Sequence, residues 1–340
     1  MKKAVILFNL GGPDNLDSVE PFLFNLFNDP AILSLPKIFR YPLAKLISKR
    51  RAPVAKAIYK EMGGSSPILQ QTEMQAKAIE ESLKSQSDNY KCFIVMRCWH
   101  PRADSVVKKV KEFNPDQIIL LPLYPQYSAA TSGSSIEEWF KKCEENNFKI
   151  NTKIICCYPT EDNFILSHVK LIKEGLSLNN LEETTIILSA HGLPENKIKK
   201  GDPYQWQVEK TVEKLINKLN IKNLNYILSY QSRVGPLKWI GPATDKVILE
   251  QSKKNKIIVL IPIAFVSEHS ETLVELDIEY KKLAMENGCK KYIRIPAVTC
   301  HKDFINSLKT SILQASNGPR FTSSINCSKS FKKCPRIQSI

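Results

Sequence analysis

The feature that most constrains the fold is a series of short apolar runs rich in Ile, Val and Leu, separated by longer stretches with helical periodicity. Eight runs have the length of a strand, and they lie at 4–9, 92–97, 117–123, 153–157, 184–190, 225–230, 257–264 and 292–296. Near-continuous apolar runs that alternate with helices are typical of parallel strands buried on both faces. The pattern therefore predicts an α/β fold.

The eight runs form two similar sets of four. The segment "ILFNLGGP" at 6–13 resembles "IILSAHGLP" at 186–194. Later in each set, a strand that contains Pro is followed by a polar turn and by the acidic start of a helix. The two segments are "IILLPLYPQYSAATSGSSIEEW" from 118 and "IIVLIPIAFVSEHSETLVEL" from 257. We expect two related doubly wound domains, each with a four-stranded parallel sheet flanked by helices.

The domain organisation follows from this duplication. We expect an N-terminal α/β domain at 1–155, a C-terminal α/β domain at 156–315 and a basic, loosely ordered tail at 316–340. No window approaches the ~20 uninterrupted apolar residues of a membrane-spanning helix. The apolar stretch in "MKKAVILFNLGGP" is too short for a signal peptide and has no cleavage site. Together with nine irregularly spaced cysteines, this predicts a cytoplasmic protein with reduced thiols.

The formal charge of +15 is unevenly distributed along the chain. Residues 281–340 contain twelve Lys or Arg against two acidic residues, and residues 37–60 contain eight with no acidic residue. A basic excess of this size attracts nucleic acid, anionic lipid or anionic small molecules. Charge alone does not choose among them.

Five polar motifs directly follow predicted strands: "NLGGP", "LYPQYSAATSGSS", "SAHGLP", "SYQSRVGP" and "FVSEHSE". In open α/β sheets, ligands bind beyond the carboxyl ends of the strands. Each motif alone is also compatible with turn chemistry and helix capping. The five together favour a binding site.

His191 lies at one of these strand ends, after "IILSA" and before Gly192. An imidazole at a rigid strand end, beside a glycine that allows close approach, suits a base or a metal ligand. The alternative is a capping or core histidine that is bonded only to the backbone. The strand-end setting makes us favour the functional interpretation.

Three carboxylates recur every four residues in the other notable motif, at Glu271, Glu275 and Glu279. Ser267 is predicted to cap this helix. The four-residue spacing places the three side chains on one face of it. A solvated acidic face is one interpretation; a ladder that conducts a divalent cation or protons is the other. An imidazole with a carboxylate and water is a plausible loose site for Fe²⁺.

The sequence has neither a P-loop nor a GxGxxG motif for nucleotide phosphates.

Seven motifs, taken in order, closely resemble those of the ferrochelatase family from about residue 4 to about 315. They are "NLGGPDNL", "KRRAPVAKAIYKEMGGSSPI", "PLYPQYSAATSGSS", "SAHGLP", "GDPYQWQ", "SYQSRVGPLKWIGPATD" and "PIAFVSEHSETLVELDIEY". The resemblance implies a chelatase-like fold and a lyase-class enzyme. It implies insertion of Fe²⁺ into protoporphyrin IX to give protohaem, the last step of haem biosynthesis, with iron as a substrate and no required cofactor.

The resemblance also assigns residues. The SAHGLP histidine and the HSET glutamate, here His191 and Glu271, bound the family's metal site, and Glu275 and Glu279 match its ladder for metal or protons. Whether the histidine takes protons or delivers iron stays open. Trp239 is a candidate for porphyrin contact, with core packing as the alternative. The expected porphyrin-binding residues are Leu10, Arg50, Arg51, Tyr59, Ser66 and Phe265.

The segment at about 34–60 matches the family's lip over the porphyrin pocket. It mixes apolar and basic residues, so we expect peripheral contact with an anionic membrane surface from the cytoplasmic side. This contact and the porphyrin propionates account for the basic excess without a nucleic-acid partner. The oligomeric state is left open.

Two departures from the family pattern stand out. Cys98 replaces a tyrosine found after the second strand in many relatives, which puts a porphyrin contact in doubt. Some relatives hold a [2Fe-2S] cluster on four cysteines, but the tail offers only Cys327 and Cys334, and the internal cysteine of the animal type is Ala129 here. We therefore expect no cluster.

Two other functions remain as alternatives. The nearer one is the same chemistry on coproporphyrin, or a related tetrapyrrole chelatase. Coproporphyrin has extra propionates that need extra cationic partners, and the sequence does not show where such partners would lie. The remote one is a noncatalytic basic module that binds nucleic acid or lipid.

Overall fold

The computed structural model describes residues 1–176, 181–233, 235 and 237–338. Parts of the expected C-terminal domain (177–180, 234 and 236) and the end of the expected tail (339–340) lie outside the described residues. The chain divides into two compact units. Unit 1 comprises Met1–Cys156 and Leu308–Ser323, and unit 2 comprises Cys157–Ser307 and Ser324–Ile340.

Unit 1 contains a sheet with the strand order β2-β1-β3-β4-β9, in which β1 pairs in parallel with β2 and β3, and β3 with β4. Its elements are β1 (Lys2–Asn9), α1 (Val19–Phe27), α2 (Lys37–Glu61), α3 (Ile68–Leu83), β2 (Asn89–Met96), α4 (Ala103–Phe113), β3 (Gln117–Pro122), the π-helix π1 (Ala129–Gly133), α5 (Ser134–Glu145), β4 (Thr152–Cys157) and β9 (Phe321–Ser323).

Unit 2 contains a parallel sheet with the strand order β6-β5-β7-β8. Its elements are α6 (Asp162–Leu176), β5 (Thr184–His191), α7 (Glu195–Lys199), α8 (Tyr204–Leu219), β6 (Tyr226–Gln231), α9 (Thr244–Lys253), β7 (Ile257–Pro262), the π-helix π2 (Glu271–Glu279), α10 (Tyr280–Glu286), β8 (Lys291–Arg294), α11 (Lys302–Asn317) and α12 (Pro335–Gln338). The chain passes between the units three times: before the last residue of β4, inside α11 and after β9.

The prediction of a duplicated α/β fold is confirmed. Each sheet places its first strand between the second and the third, with the fourth beyond, and each third strand is followed by a π-helix. The central strands are buried on both faces because helices cover them. In β1, for example, every residue after Lys2 is buried.

The prediction of four strands in each sheet is wrong for unit 1, which has a fifth strand, β9. The Ile154 N–H donates to the Arg320 carbonyl (2.7 Å), which joins this segment to β4. With only three residues, β9 is too short to give a periodic signal. Further along the segment expected to be loosely ordered, the Phe331 ring packs 5.1 Å from the Trp206 ring and Cys334 is fully buried.

Over the described residues, no helix combines the length and the apolar composition that are needed to cross a membrane.

Candidate active site

His191 is the last residue of β5, where the buried strand reaches the protein surface. Its ring is partly exposed, and Nδ1 lies 2.5 Å from the carbonyl oxygen of Gly192. Since a carbonyl only accepts, Nδ1 carries the hydrogen, and the lone pair of the neutral ring is on Nε2. The Tyr204 hydroxyl donates to the His191 carbonyl (3.1 Å) and fixes the backbone. The side chain therefore presents an acceptor nitrogen at a rigid position.

Glu271 faces that nitrogen from the first residue of π2. The distance from His191 Nε2 to Glu271 Oε1 is 3.6 Å, and the two side chains are 38% and 31% exposed. The predicted cap is wrong in position: the helix starts at Glu271, its N-cap is Ser270, and Ser267 is buried before it. The structure thus brings the two predicted metal-site residues together at an accessible point.

Glu275 lies one turn further along π2, and its carboxylate accepts four hydrogen bonds. Oε1 accepts from the Ser232 N–H (3.0 Å) and the Tyr280 hydroxyl (2.8 Å). Oε2 accepts from the Gln231 amide (3.1 Å) and from the Ser232 hydroxyl. Burial, and then the charge of Glu271, raise the pKa of Glu275, whereas the hydroxyl donors oppose this shift. Glu275 is consequently held in place and binds a proton more readily than an exposed carboxylate.

Glu279 differs from the other two carboxylates of the predicted ladder. It is the last residue of π2 and is exposed to solvent. The first two carboxylates interact electrostatically, and Gln231 also donates to the Glu271 carbonyl (3.1 Å). The structure therefore joins Glu271 and Glu275 and leaves Glu279 at the solvent end.

Phe265 and His269 lie beside the His191 and Glu271 pair. The Phe265 ring is 6.5 Å from the His191 ring and 4.7 Å from the His269 ring, edge to face in both cases. His269 Nε2 is 4.0 Å from Glu271 Oε2. Burial lowers the pKa of His269, although Glu271 opposes the shift. The sequence analysis missed His269, although the strand-end motif "FVSEHSE" contains it.

Gln231, Ser232 and Tyr280 were also missed as site residues. Gln231 and Ser232 follow β6 in the strand-end motif "SYQSRVGP", so their position was a signal. Tyr280 comes five residues after Glu275, and a π-helix with i→i+5 bonds places such residues on the same side. If the sequence is interpreted as an α-helix, Glu275 and Tyr280 do not lie on the same side.

The donor set around His191 is small. Within residues 1–176, 181–233, 235 and 237–338, no group of three His, Cys, Asp or Glu side chains is arranged to hold a metal ion. One imidazole nitrogen and one carboxylate leave the other coordination positions to water or to a substrate. Such a pair binds a metal ion loosely, which suits an ion that has to be passed on.

Leu10 and Tyr59 lie in one apolar cluster of unit 1. Tyr59 is only 6% exposed and packs with Val19 and with Cys98, which is 1% exposed, while Leu10 is partly buried against the same cluster. Burial raises the pKa of the Cys98 thiol, which makes it unreactive. Cys98 is therefore a packing residue.

Arg50 and Arg51 are neighbours on α2 and both are exposed. The Arg51 guanidinium lies 5.9 Å from the centre of the Phe27 ring. Ser66 is half-buried and follows the turn after α2, where its N–H donates to the Pro13 carbonyl (2.8 Å). A Cβ on Gly12 would lie 2.5 Å from both Cβ and Oγ of Ser66, so only glycine fits there without movement.

Trp239 lies next to the His191 turn in unit 2. It forms a β-bridge with Pro194, and its ring would be 3.2 Å from a Cβ placed on Gly192. The ring is only partly buried. Trp239 therefore packs against the glycine that follows His191.

Three cysteines of unit 2 lie near one another. A hydrogen bond with Cys334, then burial and the nearby Cys157, raise the pKa of the Cys327 thiol, so the three cysteines are neighbours. The Gln207 amide donates to the Cys327 sulfur (3.4 Å). The tail itself offers only Cys327 and Cys334, and the fold adds Cys157, which is far away along the chain.

The chain is similar to known proteins over nearly its whole length. The ferrochelatase family model matches residues 2–316. A ferrochelatase of Pelagibacter ubique is 63% identical over 343 residues, which cover 98% of each chain. A ferrochelatase of Rickettsia bellii is 47% identical over 346 residues, covering 97% of this chain and 94% of the relative.

Solved structures with the same fold are more distant in sequence. SirB from Bacillus subtilis with Fe³⁺ has a TM-score of 0.55 at 12% identity, covering 93% of this chain and 96% of that one. CbiX, described as the terminal enzyme for biosynthesis of sirohaem in denitrifying bacteria, has a TM-score of 0.51 at 11% identity, covering 93% and 99%. These likenesses support the two-sheet α/β fold. From the family match and the identity to its members, we conclude that this chain belongs to the ferrochelatase family of lyase-class metal-chelating enzymes.

Proposed function

We propose that His191 and Glu271 form the point at which this ferrochelatase delivers Fe²⁺ to a porphyrin and removes the pyrrole protons. The enzyme inserts Fe²⁺ into protoporphyrin IX to give protohaem. The observation that carries the proposed site is the His191 Nε2 lone pair, which lies 3.6 Å from a Glu271 oxygen at an accessible strand end.

The reaction needs both a weak metal donor and a proton acceptor. When Fe²⁺ enters the ring, two N–H bonds break and two protons leave, so the charge of the metallated ring is unchanged. His191 Nε2 and the Glu271 carboxylate can each accept a proton or contact the metal. Because they supply only two ligands, the four porphyrin nitrogens outcompete them.

We propose that Glu275 and Glu279 continue the path from Glu271 toward solvent, and that Glu275, at the inner end, carries protons and not Fe²⁺. The oxygens of Glu275 already accept four hydrogen bonds, so binding Fe²⁺ there would cost several of them. A proton needs only one lone pair. Glu279 is exposed and can release the proton to solvent.

We propose the porphyrin-binding roles because these residues lie in motifs that resemble those of the family. We assign the propionates to Arg50, Arg51 and Ser66, since guanidinium groups bind carboxylates in bidentate fashion and both arginines are exposed. Phe265 and Leu10 are partly accessible and suit contact with the ring. Tyr59 has little surface left for such contact, so its main role is packing.

We place the protein in the cytoplasm, in peripheral contact with an anionic membrane through α2 and the segment before it. This region exposes Ile38 (76%), Phe39 (64%) and Val54 (66%) among Lys and Arg side chains. Exposed apolar side chains flanked by basic ones are typical of a surface that rests on anionic lipid.

We also propose that the enzyme needs no [2Fe-2S] cluster. Such a cluster is normally held by four thiolates. The group around Cys327 brings together three cysteines, with Cys334 and Cys157 as the other two. Iron and sulfide analysis of anaerobically purified protein tests this: we expect neither in stoichiometric amount, and two of each per chain would refute it.

The substrate assignment is tested by an anaerobic assay that follows the loss of the free-porphyrin spectrum on addition of Fe²⁺. Protoporphyrin and coproporphyrin are supplied separately and in competition. We expect protoporphyrin to have the higher kcat/KM. A higher value for coproporphyrin would identify the alternative substrate, and no turnover with either would refute the activity.

A further inference from the structure

The geometry points to Gln231 and Ser232 as positioning residues that hold Glu271 opposite His191. The inference rests on the proposed roles of His191 and Glu271. Neither residue needs to touch the metal or the porphyrin, because both act through the backbone and through Glu275.

Gln231 connects the strand that carries His191 to the helix that carries Glu271. On the strand side, it is the register partner of His191, and its carbonyl accepts from the Gly192 N–H (2.8 Å). On the helix side, its amide donates to the Glu271 carbonyl and to Glu275 Oε2, both at 3.1 Å. One buried side chain therefore fixes the first turn of π2 relative to the end of β5.

The orientation of the Gln231 amide is determined by its surroundings. The Ser189 hydroxyl donates to its carbonyl oxygen (2.7 Å), which leaves the NH₂ group to face the Glu271 carbonyl, an obligate acceptor. Ser189 in turn contacts Thr244, which contacts Ser229. This buried chain of hydroxyls keeps Gln231 in one rotamer.

Ser232 provides the second attachment. Its φ of +59° is in the left-handed region, which residues other than Gly, Asn and Asp rarely adopt. In this conformation its N–H and its hydroxyl both donate to the Glu275 carboxylate. Strained backbone persists where surrounding structure requires it, and here it directs two donors onto one carboxylate.

The consequence is a specific kinetic defect when this attachment is lost. Misplacing a reacting group by about 1 Å can cost about a hundredfold in rate. We expect Gln231→Leu to lower kcat/KM for Fe²⁺ at least tenfold while the KM for protoporphyrin changes less than twofold. If the role of Gln231 were purely structural, the substitution would lower the amount of folded enzyme. The folded fraction would then keep the parent's kcat/KM for Fe²⁺ and the parent's KM for protoporphyrin.

The matched control is Gln251→Leu. Gln251 is also buried in unit 2, where its side-chain oxygen accepts from the Thr185 hydroxyl (3.1 Å), and it lies on α9. Ser232→Gly is the second test variant, because glycine keeps the left-handed backbone and the N–H bond and removes only the hydroxyl. We expect it to lower kcat/KM for Fe²⁺ about three- to tenfold.

The experiment measures both KM values, kcat and the thermal midpoint for the parent and for Q231L, S232G, Q251L, H191A and E271Q. A folded Q231L with parent-like kcat/KM for Fe²⁺, or with the same defect as Q251L, would overturn the inference. If Q231L does not fold, S232G decides: the expected loss supports the inference and parent-like kinetics overturns it. Full activity of H191A and E271Q would instead refute the proposed function.

Discussion

At the scale of single residues, the site depends on which atoms of His191 and Glu271 are available. The Gly192 carbonyl occupies Nδ1 of the imidazole, so the proton and metal chemistry that we propose falls to Nε2, which lies 3.6 Å from Glu271 Oε1. The pair is partly exposed and holds no third protein ligand that would retain a metal ion within the described part of the chain. The His191 and Glu271 pair is therefore suited to releasing a metal ion as well as to binding one.

Glu271→Gln tests the need for a negative charge at this point. The amide keeps the shape but neither accepts a proton at neutral pH nor attracts Fe²⁺, so we expect kcat to fall about a hundredfold or more. Glu286→Gln, on the exposed face of α10, is the control and is expected to behave like the parent. Initial rates under anaerobic conditions decide, and an E271Q rate within threefold of the parent would contradict the assignment.

Gly12→Ala tests the packing that positions Ser66. The added methyl group would overlap Ser66, so we expect a loss of about 1–3 kcal/mol in the free energy of unfolding. Ser66→Gly removes both overlapping atoms, and the double variant should recover most of the loss. Urea unfolding measures the four proteins; additive effects in the double variant would show that the contact is not the cause.

At the scale of elements, two features set the site: the end of β5 and the wide first turn of π2. The carbonyl of Glu271 is tied to β6 through Gln231, and the helix continues as α10 from Tyr280, whose hydroxyl also bonds Glu275. Helix α2 exposes apolar side chains outside the core clusters of the described residues, and we propose a separate role for it in membrane contact.

The double substitution Ile38→Ser and Phe39→Ser tests the membrane role of α2. We expect at least a fivefold loss of binding to vesicles that contain anionic lipid, because two strongly exposed apolar side chains are removed. Met74→Ser, on α3 and 53% exposed, is the matched control and should bind like the parent. Co-sedimentation is the measurement, and equal binding by all three proteins would remove α2 from the membrane contact.

At the scale of the whole molecule, stability depends on pH through a buried histidine on α6. Burial lowers the pKa of His168 from 6.5 to about 4, although a bond from Nδ1 to the Phe164 carbonyl opposes the shift. Between these values the unfolded chain binds more protons than the folded one, so stability rises with pH in this window and is constant above it. The full difference is about 3 kcal/mol.

His168→Asn removes this titration while keeping a hydrogen-bond donor. We expect the parent to lose about 2 kcal/mol more than the variant between pH 7 and pH 5, as measured by urea unfolding at each pH. The absolute stability of the variant is not the readout, since the cavity lowers it at both pH values. Parallel pH profiles of parent and variant would contradict the assignment.

Much of this molecule is predictable from its sequence because buried parallel strands leave long apolar runs. The eight strands, their duplication and the pairing of His191 with Glu271 all depend on such local patterns or on motifs. Three things depend on tertiary contacts instead. Strand β9 has only three residues and forms only because it pairs with β4. The position of Gln231 beside His191 depends on the register of β5 and β6, and the burial of Tyr59 depends on packing against α1.

The central claim is that iron insertion occurs at His191. The direct measurement is an anaerobic single-turnover assay with protoporphyrin and Fe²⁺, comparing the parent, His191→Ala and the control His301→Ala, which alters a histidine beside α11. We predict that H191A binds protoporphyrin, as measured by fluorescence quenching, but inserts iron at least a hundredfold more slowly, while H301A keeps the parent rate. Iron insertion by H191A at the parent rate would contradict the account.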